Sequence, residues 1–339
     1  MKLLLDTISG DAPAEEIIQG AIEALNLRKE ADFQIVLVGD ASRNQAICQR
    51  EGCTDSRVSF LNAPQRISME DPPVSAVRSN PQSSLVQGCR ALKDSSGAFI
   101  TPGNTGAAVA ASLLELGRLT GVARPGLAAV IPTVHRQQVI VMDVGATIDA
   151  TSTNLVQFAA MASVLGQEIL SKSSPAVGLL NIGEEESKGN KLIKDTRPLL
   201  NDLEINYQGN IEPHQILIDP PVDIAVCEGF VGNILLKAFE GGADGTINFF
   251  KQALSSSLRA RIGGLLLKPA LQDLQDQLSF SNFGAAPLLG VKGTVFVGHG
   301  RSDSRAIRNA LLQAEDAVNW DLSGKIQQVI NSLNNQGGS

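Results

Sequence analysis

The chain has 339 residues, enough to bury a substantial core as one large α/β domain or as two smaller ones. Its formal net charge of −7 excludes general binding of nucleic acid, which needs a broad basic surface. No apolar run reaches the roughly 20 residues that span a bilayer and the cysteines show no C-x-x-C spacing, so we expect a soluble cytoplasmic protein with reduced thiols.

A short apolar run followed by a glycine-rich or polar loop recurs along the chain. The first run, Leu3–Leu5, ends in D-T-I-S-G-D before a helical stretch from Ala14 to Leu25. The later runs are Phe33–Val38, Ala98–Ile100, Val139–Met142, Ala176–Ile182, Asp223–Cys227 and Thr294–Val297. Strands that alternate with helices predict the α/β class, with a mostly parallel sheet covered by helices on both faces. Ligands bind such sheets outside the carboxyl ends of the strands, where these loops lie.

The segment from Gly245 to Gln272 departs from this pattern because it has basic residues and no acidic ones. The pair Gly263 and Gly264 interrupts a helix, so we predict a protruding helical hairpin over 245–280 with an apolar tip at the glycines. The tip and its flanking cations are Leu265, Leu266, Leu267, Arg259, Arg261 and Lys268. The whole of 1–335 is predicted to be a single catalytic α/β domain, and 336–339 a disordered tail.

Two loops that precede predicted helices have the form of anion sites. Thr101 to Gly106 reads T-P-G-N-T-G, and free N–H groups at a helix N-terminus, approached closely over glycine, can bind an anion. The alternative is an ordinary N-cap formed by Asn104 or Thr105. G-H-G-R-S-D repeats the arrangement, with His299 at the strand end, and the alternative is an ordinary N-cap formed by Ser302 or Asp303. A histidine between two glycines favours a functional role over core packing.

The string L-L-N-I-G-E-E-E-S-K-G-N, from Leu179 to Asn190, joins an apolar strand to three carboxylates and a lysine. Lys188 could be a solvated residue at the start of a helix, but the adjacent Gly189 favours a site. Glu184–Glu186 could hold Mg²⁺, but adjacent carboxylates rarely converge on one ion, and the alternative is hydrogen bonding to neighbouring loops. No nucleophile–base motif is evident, so we predict an anion-binding α/β enzyme without a covalent intermediate, metal or cofactor.

Five strings occur in a fixed order along the chain. They are N-A-P-Q-R-I-S-M (Asn62 to Met69), P-G-N-T-G-A (Pro102 to Ala107), L-N-I-G-E-E-E-S-K-G-N, E-G-F-V-G-N (Glu228 to Asn233) and A-P-L-L-G-V-K-G…G-H-G-R-S (Ala286 to Ser302). So arranged, the chain resembles the bacterial acyl-acyl carrier protein:phosphate acyltransferases over nearly its whole length. The resemblance implies a Rossmann-like three-layer α/β/α fold, a homodimer and a step of phospholipid biosynthesis. In that step acyl-[acyl carrier protein] and inorganic phosphate give acyl phosphate and free carrier protein.

The resemblance also implies roles for individual residues. Lys188 and Asn233 fall at catalytic positions, Lys188 for phosphate charge or the oxyanion and Asn233 for hydrogen bonding of the reacting groups. His299 is a candidate proton donor to the leaving thiol. The implied substrate-binding residues are Asp6, Gly10, Asp11, Gly103, Asn104, Thr105, Gly106, Asp143, Gly183, Gly232, Gly300 and Ser302.

The product of such an enzyme passes to a membrane-bound glycerol-3-phosphate acyltransferase, so the resemblance implies peripheral association with the inner face of the cell membrane. We expect the hairpin, with Leu265–Leu267 and its cations, to contact an anionic membrane surface or to guide the acidic carrier protein. The alternative is a hairpin packed in the dimer interface.

The chain departs from the family pattern at several loops. D-T-I-S-G-D (Asp6 to Asp11) stands for D-A-M-G-G-D, S-N-P-Q-S-S (Ser79 to Ser84) replaces a basic run, and Thr147 replaces an asparagine. Lys188 and Asn233 are retained, so these departures concern substrate affinity and carrier docking more than the reaction. Two alternative functions are a phosphate acetyl- or butyryltransferase acting on coenzyme A thioesters and a non-catalytic membrane-associated homologue that organises lipid enzymes.

Overall fold

The computed structural model describes residues 1–135, 137–278 and 284–336 of the chain. Its strands are β1 (Lys2–Asp6), β2 (Gln34–Gly39), β3 (Val58–Asn62), β4 (Gly97–Thr101), β5 (Gly126–Pro132), β6 (Gln138–Met142), β7 (Val177–Leu180), β8 (Tyr207–Ile211), β9 (Ile224–Val226), β10 (Ala286–Leu289) and β11 (Thr294–Val297). Its helices are α1 (Ala14–Leu27), α2 (Ala41–Arg50), α3 (Pro73–Ser79), α4 (Ser84–Lys93), α5 (Thr105–Glu115), α6 (Ser152–Ile169), α7 (Lys191–Asn201), α8 (Pro213–Ile218), α9 (Gly229–Ser255), α10 (Leu258–Leu278), α11 (Ser304–Asn319) and α12 (Leu322–Gln336).

All described strands belong to one sheet, in the order β3-β2-β1-β4-β11-β10-β5-β6-β9-β7-β8. Every predicted strand is present, with bounds that differ by at most two residues, whereas β3, β5, β8 and β10 were not predicted. One parallel set consists of β3, β2, β1, β4 and β11, and the other consists of β6, β9, β7 and β8. β10 is antiparallel to β11 and β5, and β5 is antiparallel to β6. The sheet is therefore mostly parallel, as predicted, but its two parallel sets run in opposite directions.

Helices cover both faces of the sheet, which confirms the three-layer α/β/α architecture. Alternate residues of β1 show the division, because successive side chains of a strand point to opposite faces. Leu3 and Leu5 pack into an apolar layer with Ile17 of α1, and Leu4 packs into the other layer with Phe99. Each of these side chains is almost fully buried.

The helical hairpin is present, but its predicted turn at Gly263 and Gly264 is wrong. The chain turns at 256–257, and both glycines lie inside α10. The Ser257 hydroxyl accepts the Ala260 N–H at 3.2 Å and so begins α10 earlier than the glycines. A Cβ on Gly264 would lie 3.3 Å from the Leu254 side chain, so this glycine serves close packing of the two helices.

The hairpin also starts earlier than predicted, because its first arm is the continuous helix α9. Of the predicted hairpin, 279–280 lie outside the described residues, as do 337–339 of the predicted tail, whereas residue 336 ends α12. Among the described helices, none combines the length and the apolar character needed to cross a bilayer.

Candidate active site

An elongated cleft of about 450 Å³ lies over the middle of the sheet. Its apolar lining comes from the central strands β5 and β10 and includes Leu127, Ala129 and Ala286. Helix α9 lines one side from Asn233 to Ile247. Because an α-helix rises about 1.5 Å per residue, the cleft follows α9 for about 21 Å.

The two ends of the cleft belong to opposite edges of the sheet. Since the two strand sets run in opposite directions, the loops after β4 and β11 emerge at one edge, and the loop after β6 and the start of α9 emerge at the other. We call these the β11 end and the β6 end. Asn233 marks the β6 end, where its side chain lies 3.7 Å from the position of a Cβ on Gly145. The predicted site residues that line the β11 end are Gly103, Thr105, His299, Gly300 and Ser302.

The remaining predicted site residues are absent from the described lining of the cleft. They are Asp6, Gly10, Asp11, Asn104, Gly106, Asp143, Gly183, Lys188 and Gly232. The contacts of these residues with neighbouring loops explain most of their positions.

The loop between β4 and α5 uses Asn104 as its N-cap, which is the alternative that the sequence left open. The Asn104 Oδ1 accepts the Ala107 N–H at 3.1 Å, and its Nδ2 donates to the Met69 carbonyl at 2.9 Å. Both ends of this amide are therefore occupied by the protein. The N–H groups of Thr105 and Gly106 have no acceptor within the helix and remain available at the β11 end.

The loop between β11 and α11 is closed by its own polar groups. His299 Nδ1 accepts the Arg301 N–H at 3.2 Å, which leaves Nε2 as the N–H donor of the neutral ring. The Ser302 hydroxyl donates to the His299 carbonyl at 2.7 Å and not to the imidazole. Asp303, rather than Ser302, caps α11 through the Ala306 N–H. The loop therefore contains no serine–histidine pair of the kind that activates a nucleophile.

Asp6 and Asp11, at the end of β1 and in the loop that follows it, hold the loops of the β11 end in place. Asp6 is fully buried, and its Oδ2 accepts the Thr101 hydroxyl at 2.8 Å while its Oδ1 accepts the Ser9 N–H at 3.2 Å. The Asp11 N–H donates to the Gly300 carbonyl at 2.7 Å. These residues hold the two neighbouring loops together and do not reach the cleft themselves.

Asp143 has the corresponding position at the β6 end. One carboxylate oxygen accepts N–H groups of Leu127 at 2.8 Å and of Gly145 and Ala146 at 3.0 Å, and the other accepts the Thr147 N–H at 2.6 Å. Burial raises the pKa of Asp143, and the four N–H donors act against that shift. This carboxylate fixes the loop that follows β6.

The start of α9 packs directly on that loop. A Cβ on Gly232 would lie 1.9 Å from the Asp143 carbonyl oxygen, so only glycine permits this approach. The Gly229 N–H donates to the Thr147 carbonyl at 2.9 Å, while the N–H groups of Phe230 and Val231 have no acceptor within the helix. The close packing directs these donors, together with Asn233, to the β6 end.

Lys188 lies at the same edge as Asn233 but outside the cleft. β7 and β9 are adjacent and parallel, so the loop that carries Lys188 emerges beside the start of α9. The Lys188 side chain is exposed, and its Cγ lies 3.1 Å from the position of a Cβ on Gly183. The same Cβ would lie 2.7 Å from Glu185 Oε2, so a larger residue at Gly183 would crowd both side chains.

The acidic run beside Lys188 is engaged by the protein, as the hydrogen-bonding alternative predicted. The Gln215 amide donates to the Glu184 carboxylate, and Arg197 forms an ion pair with Glu186 at 3.6 Å. Within the described part of the chain, no group of three or more histidine, cysteine, aspartate and glutamate side chains has the geometry of a metal site.

The thiols are also separate from the cleft. Burial raises the pKa of Cys48 to about 11 and that of Cys89 to about 12, and it raises the pKa of Cys227 well above its usual range. None of these residues lines the described cleft. They are protonated at neutral pH and supply no thiolate nucleophile.

Sequence reasoning missed the side of α9 that faces the cleft. Leu236, Lys237, Glu240 and Asp244 line it beyond Asn233, at the spacing of one helical face. That spacing is legible in the sequence after E-G-F-V-G-N. It was overlooked because the hairpin was predicted to begin at 245, which separated these residues from the helix that carries them.

The architecture as a whole is that of the phosphotransacylases. The EutD phosphotransacetylase from Staphylococcus aureus superimposes with a TM-score of 0.55 at 14% sequence identity, over 94% of each chain. A branched-chain phosphotransacylase from Enterococcus faecalis V583 gives a TM-score of 0.57 at 15% identity, over 94% of this chain and 99% of that one. At these identities the likeness shows a shared fold and no more.

Sequence comparison identifies the family. Residues 1–325 match the family model described as "Fatty acid synthesis protein". The phosphate acyltransferase of Dictyoglomus turgidum (strain DSM 6724 / Z-1310) is 39% identical over 339 residues, 99% of this chain and 100% of that protein. That of Caldicellulosiruptor saccharolyticus (strain ATCC 43494 / DSM 8903 / Tp8T 6331) is 41% identical over 322 residues, 93% of this chain and 94% of that protein. The chain belongs to this family of phosphate acyltransferases, which confirms the resemblance and disfavours the two alternative functions.

Proposed function

We propose that this protein transfers the acyl group of acyl-[acyl carrier protein] to inorganic phosphate, in the route to phosphatidic acid. The observation that carries the proposal is a cleft with hydrogen-bond donors at both ends and cations in its lining but no activated nucleophile among the described residues. An acyl transfer in such a site requires a nucleophile that arrives with the substrates. Inorganic phosphate, the second substrate implied by the names of the relatives, supplies it.

The reaction centre in this proposal is the β6 end. A phosphate oxygen attacks the thioester carbonyl carbon, the C–O bond forms, and the C–S bond then breaks to give acyl phosphate and the carrier thiolate. Free N–H groups of Phe230 and Val231 hold the phosphate dianion at the N-terminus of α9, and Asn233 donates to the reacting groups. Orientation of two reactants contributes about 7–11 kcal/mol to such a reaction. A preorganised donor to the oxyanion adds about 3 kcal/mol.

Lys188 neutralises charge on the phosphate or the oxyanion in this scheme. Two observations support that role: its ammonium forms no ion pair with a described residue, and its loop emerges beside the start of α9. Because the lysine lies outside the lining of the cleft, it would act from the rim and over the bound phosphate.

We do not assign His299 as proton donor to the leaving thiol. It belongs to the β11 end, and donation would require a second proton on Nδ1, which accepts the Arg301 N–H. A thiol has a pKa of about 8.5, so the thiolate leaves without protonation far more readily than an alkoxide.

The experiment that tests this function compares two thioesters with the purified protein. Palmitoyl-[acyl carrier protein] and acetyl-coenzyme A are each incubated with phosphate, and acyl phosphate is trapped by hydroxylamine as the hydroxamate. We expect phosphate-dependent product from the carrier-bound substrate and at least tenfold less from acetyl-coenzyme A. The reverse preference would make the protein a phosphate acetyltransferase, and no product from either substrate would leave it non-catalytic.

We further propose a homodimer that associates with the membrane through the hairpin, where acyl phosphate passes to the membrane-bound glycerol-3-phosphate acyltransferase. Leu258, Leu265 and Leu266 of α10 are 73–80% exposed, and Arg259 and Arg261 lie beside them. An apolar face beside cations suits an anionic bilayer, where each basic side chain contributes about 1 kcal/mol. The same apolar face could instead be covered by a second copy of the chain.

A further inference from the structure

The backbone of the loop between β7 and α7 is held by polar side chains of the neighbouring elements. At the start of the loop, the Asn181 amide donates to the Gly183 carbonyl at 3.0 Å, and Asn181 itself is buried. Farther along, Arg197 of α7 donates to the Glu186 carbonyl. The Lys188 side chain is exposed beyond these contacts. The loop thus presents an exposed lysine on a backbone that the protein constrains.

Asn210 makes the contact that bears directly on the lysine. It belongs to β8, the edge strand beside β7, where it is paired with Leu179. Its Nδ2 donates to the Glu185 carbonyl at 3.2 Å, and the same carbonyl accepts the Lys188 N–H at 3.0 Å. One carbonyl oxygen therefore joins β8 to the turn that presents the lysine. Since the turn spans only 185–188, a shift of this carbonyl would move the lysine with it.

The Asn210 side chain is not arranged for stability. Its Oδ1 is buried and has no hydrogen-bond partner among the described residues. A buried polar atom without a partner costs free energy that an apolar side chain would avoid. The carbonyl that the amide bonds belongs to an exposed residue, Glu185, and could bond to water instead. What the amide supplies, and an apolar residue could not, is a fixed position for that carbonyl.

We infer that Asn210 is a positioning residue for Lys188: through the Glu185 carbonyl it holds the turn from which the ammonium acts on the phosphate or the oxyanion. This inference rests on the proposed function, which gives the lysine its role. Asn210 does not line the described cleft, so its effect on the reaction passes through the lysine. Position matters because a preorganised charge stabilises the transition state without first being reordered.

The first test is a double-mutant cycle on the formation of acyl phosphate from palmitoyl-[acyl carrier protein]. Asn210→Ala should lower kcat about tenfold and leave KM for that substrate within about twofold, with a thermal midpoint that is unchanged or raised. Because Asn210 acts through the lysine, adding Asn210→Ala to Lys188→Ala should cause no further loss. A further loss of similar size in the double mutant would overturn the inference, and so would near-normal turnover of Asn210→Ala.

Two other variants separate the amide donor from the strand that carries it. Asn206→Ala is the matched control, because Asn206 Nδ2 donates to the Ser174 carbonyl at 3.1 Å just before β8, away from the lysine loop. Its turnover should stay within about twofold of the wild type. Asn210→Asp keeps the shape of the side chain but lacks the donor, so it should lower kcat at least as much as Asn210→Ala. Equal losses in Asn206→Ala and Asn210→Ala would assign the effect to the stability of β8 and overturn the inference.

Limited proteolysis reports on the loop without any acyl transfer. Trypsin cleaves after lysine, and cleavage of the Lys188–Gly189 bond requires the turn to open. We expect this cleavage to be at least about fivefold faster in Asn210→Ala than in Asn206→Ala, with the site identified by mass spectrometry. Equal rates would overturn the inference. Absence of acyl phosphate from the wild type, together with the expected difference in cleavage, would refute the proposed function and leave the hold of Asn210 on the loop standing.

Discussion

The two ends of the cleft are built by the same kind of strand-end loop but differ in which contacts hold those loops and in what they leave exposed. At the β11 end, the loops after β1, β4 and β11 bond to one another, through Asp6 and Thr101 and through Asp11 and Gly300. Arg66 adds a further bond to the Gly10 carbonyl at 2.9 Å. At the β6 end, Asp143 fixes one loop, whereas the loop with Lys188 is bonded through its acidic run, to side chains that include Gln215 and Arg197, and leaves the lysine exposed.

This difference separates recognition from chemistry. An end whose loops are mutually bonded presents fixed donors and suits a group that is bound and not changed. An end that pairs a fixed helix start with an exposed, charged loop can admit phosphate, react and release acyl phosphate.

Substitution of Lys188, in the charged loop after β7, should abolish most activity. Lys188→Ala is expected to lower phosphate-dependent thioester cleavage by at least about a hundredfold, the scale observed when a preorganised donor is lost. Its thermal midpoint should change little, because the side chain is exposed. Lys194→Ala is the control, since Lys194 is an exposed lysine of the following helix. Near-normal turnover of well-folded Lys188→Ala would remove the lysine from the mechanism.

Asn233→Ala should lower turnover at the same end of the cleft. We expect a loss of about tenfold to a hundredfold, smaller than that of Lys188→Ala because the N–H groups of Phe230 and Val231 share its role. The measurement is kcat for acyl phosphate formation at saturating phosphate. A loss confined to KM for the carrier protein would place Asn233 in binding and would weaken the division between the two ends.

The packing of α9 on the loop after β6 depends on Gly232. Gly232→Ala would place a Cβ 1.9 Å from the Asp143 carbonyl oxygen and should lower the free energy of unfolding by about 3 kcal/mol. Gly241→Ala is the control on the same helix, because a Cβ there meets nothing within 4 Å. It should raise that free energy by about 1 kcal/mol through helix propensity. Denaturant titration measures both, and equal effects would show that α9 does not need its close approach to the β6 loop.

Much of this organisation follows from the sequence, and the failures have identifiable causes. Each apolar run predicted from the sequence coincides with a strand, and the loops after these strands contain the predicted site residues. β5 and β10 were missed, and they are the strands that reverse the direction of the sheet. A single strand run carries no information on which neighbour it pairs with, so the sequence could not show that His299 and Asn233 lie at opposite edges.

The hairpin illustrates a second kind of failure. A glycine pair is a helix breaker on average, but Gly264 is placed where α10 packs closely against Leu254. The turn instead falls at a serine cluster, where Ser257 begins the next helix. Local propensity and tertiary packing point to different positions here, and packing decides.

The hairpin provides a smaller test, on location rather than turnover. Leu265→Glu combined with Leu266→Glu should release the protein from anionic liposomes, since both side chains are more than 70% exposed on α10. Turnover with carrier-bound substrate should stay within about twofold, because neither leucine lines the cleft. Leu27→Glu is the control, an exposed leucine at the end of α1. Unchanged flotation, or a shift from dimer to monomer in light scattering, would assign this face to the dimer interface.

Chelation should have the smallest effect. At the β6 end the phosphate can be neutralised by Lys188 and by the N-terminus of α9, so the reaction as proposed has no step that a divalent cation must perform. The acidic run is occupied elsewhere, Glu184 by Gln215 and Glu186 by Arg197, and its carboxylates do not converge. We therefore expect exhaustive treatment with EDTA to leave kcat within about twofold. Loss of activity that is restored by Mg²⁺ would mean that these contacts open in the working enzyme. The exposed loop would then hold a metal-bound phosphate, and the role of Lys188 would pass to the ion.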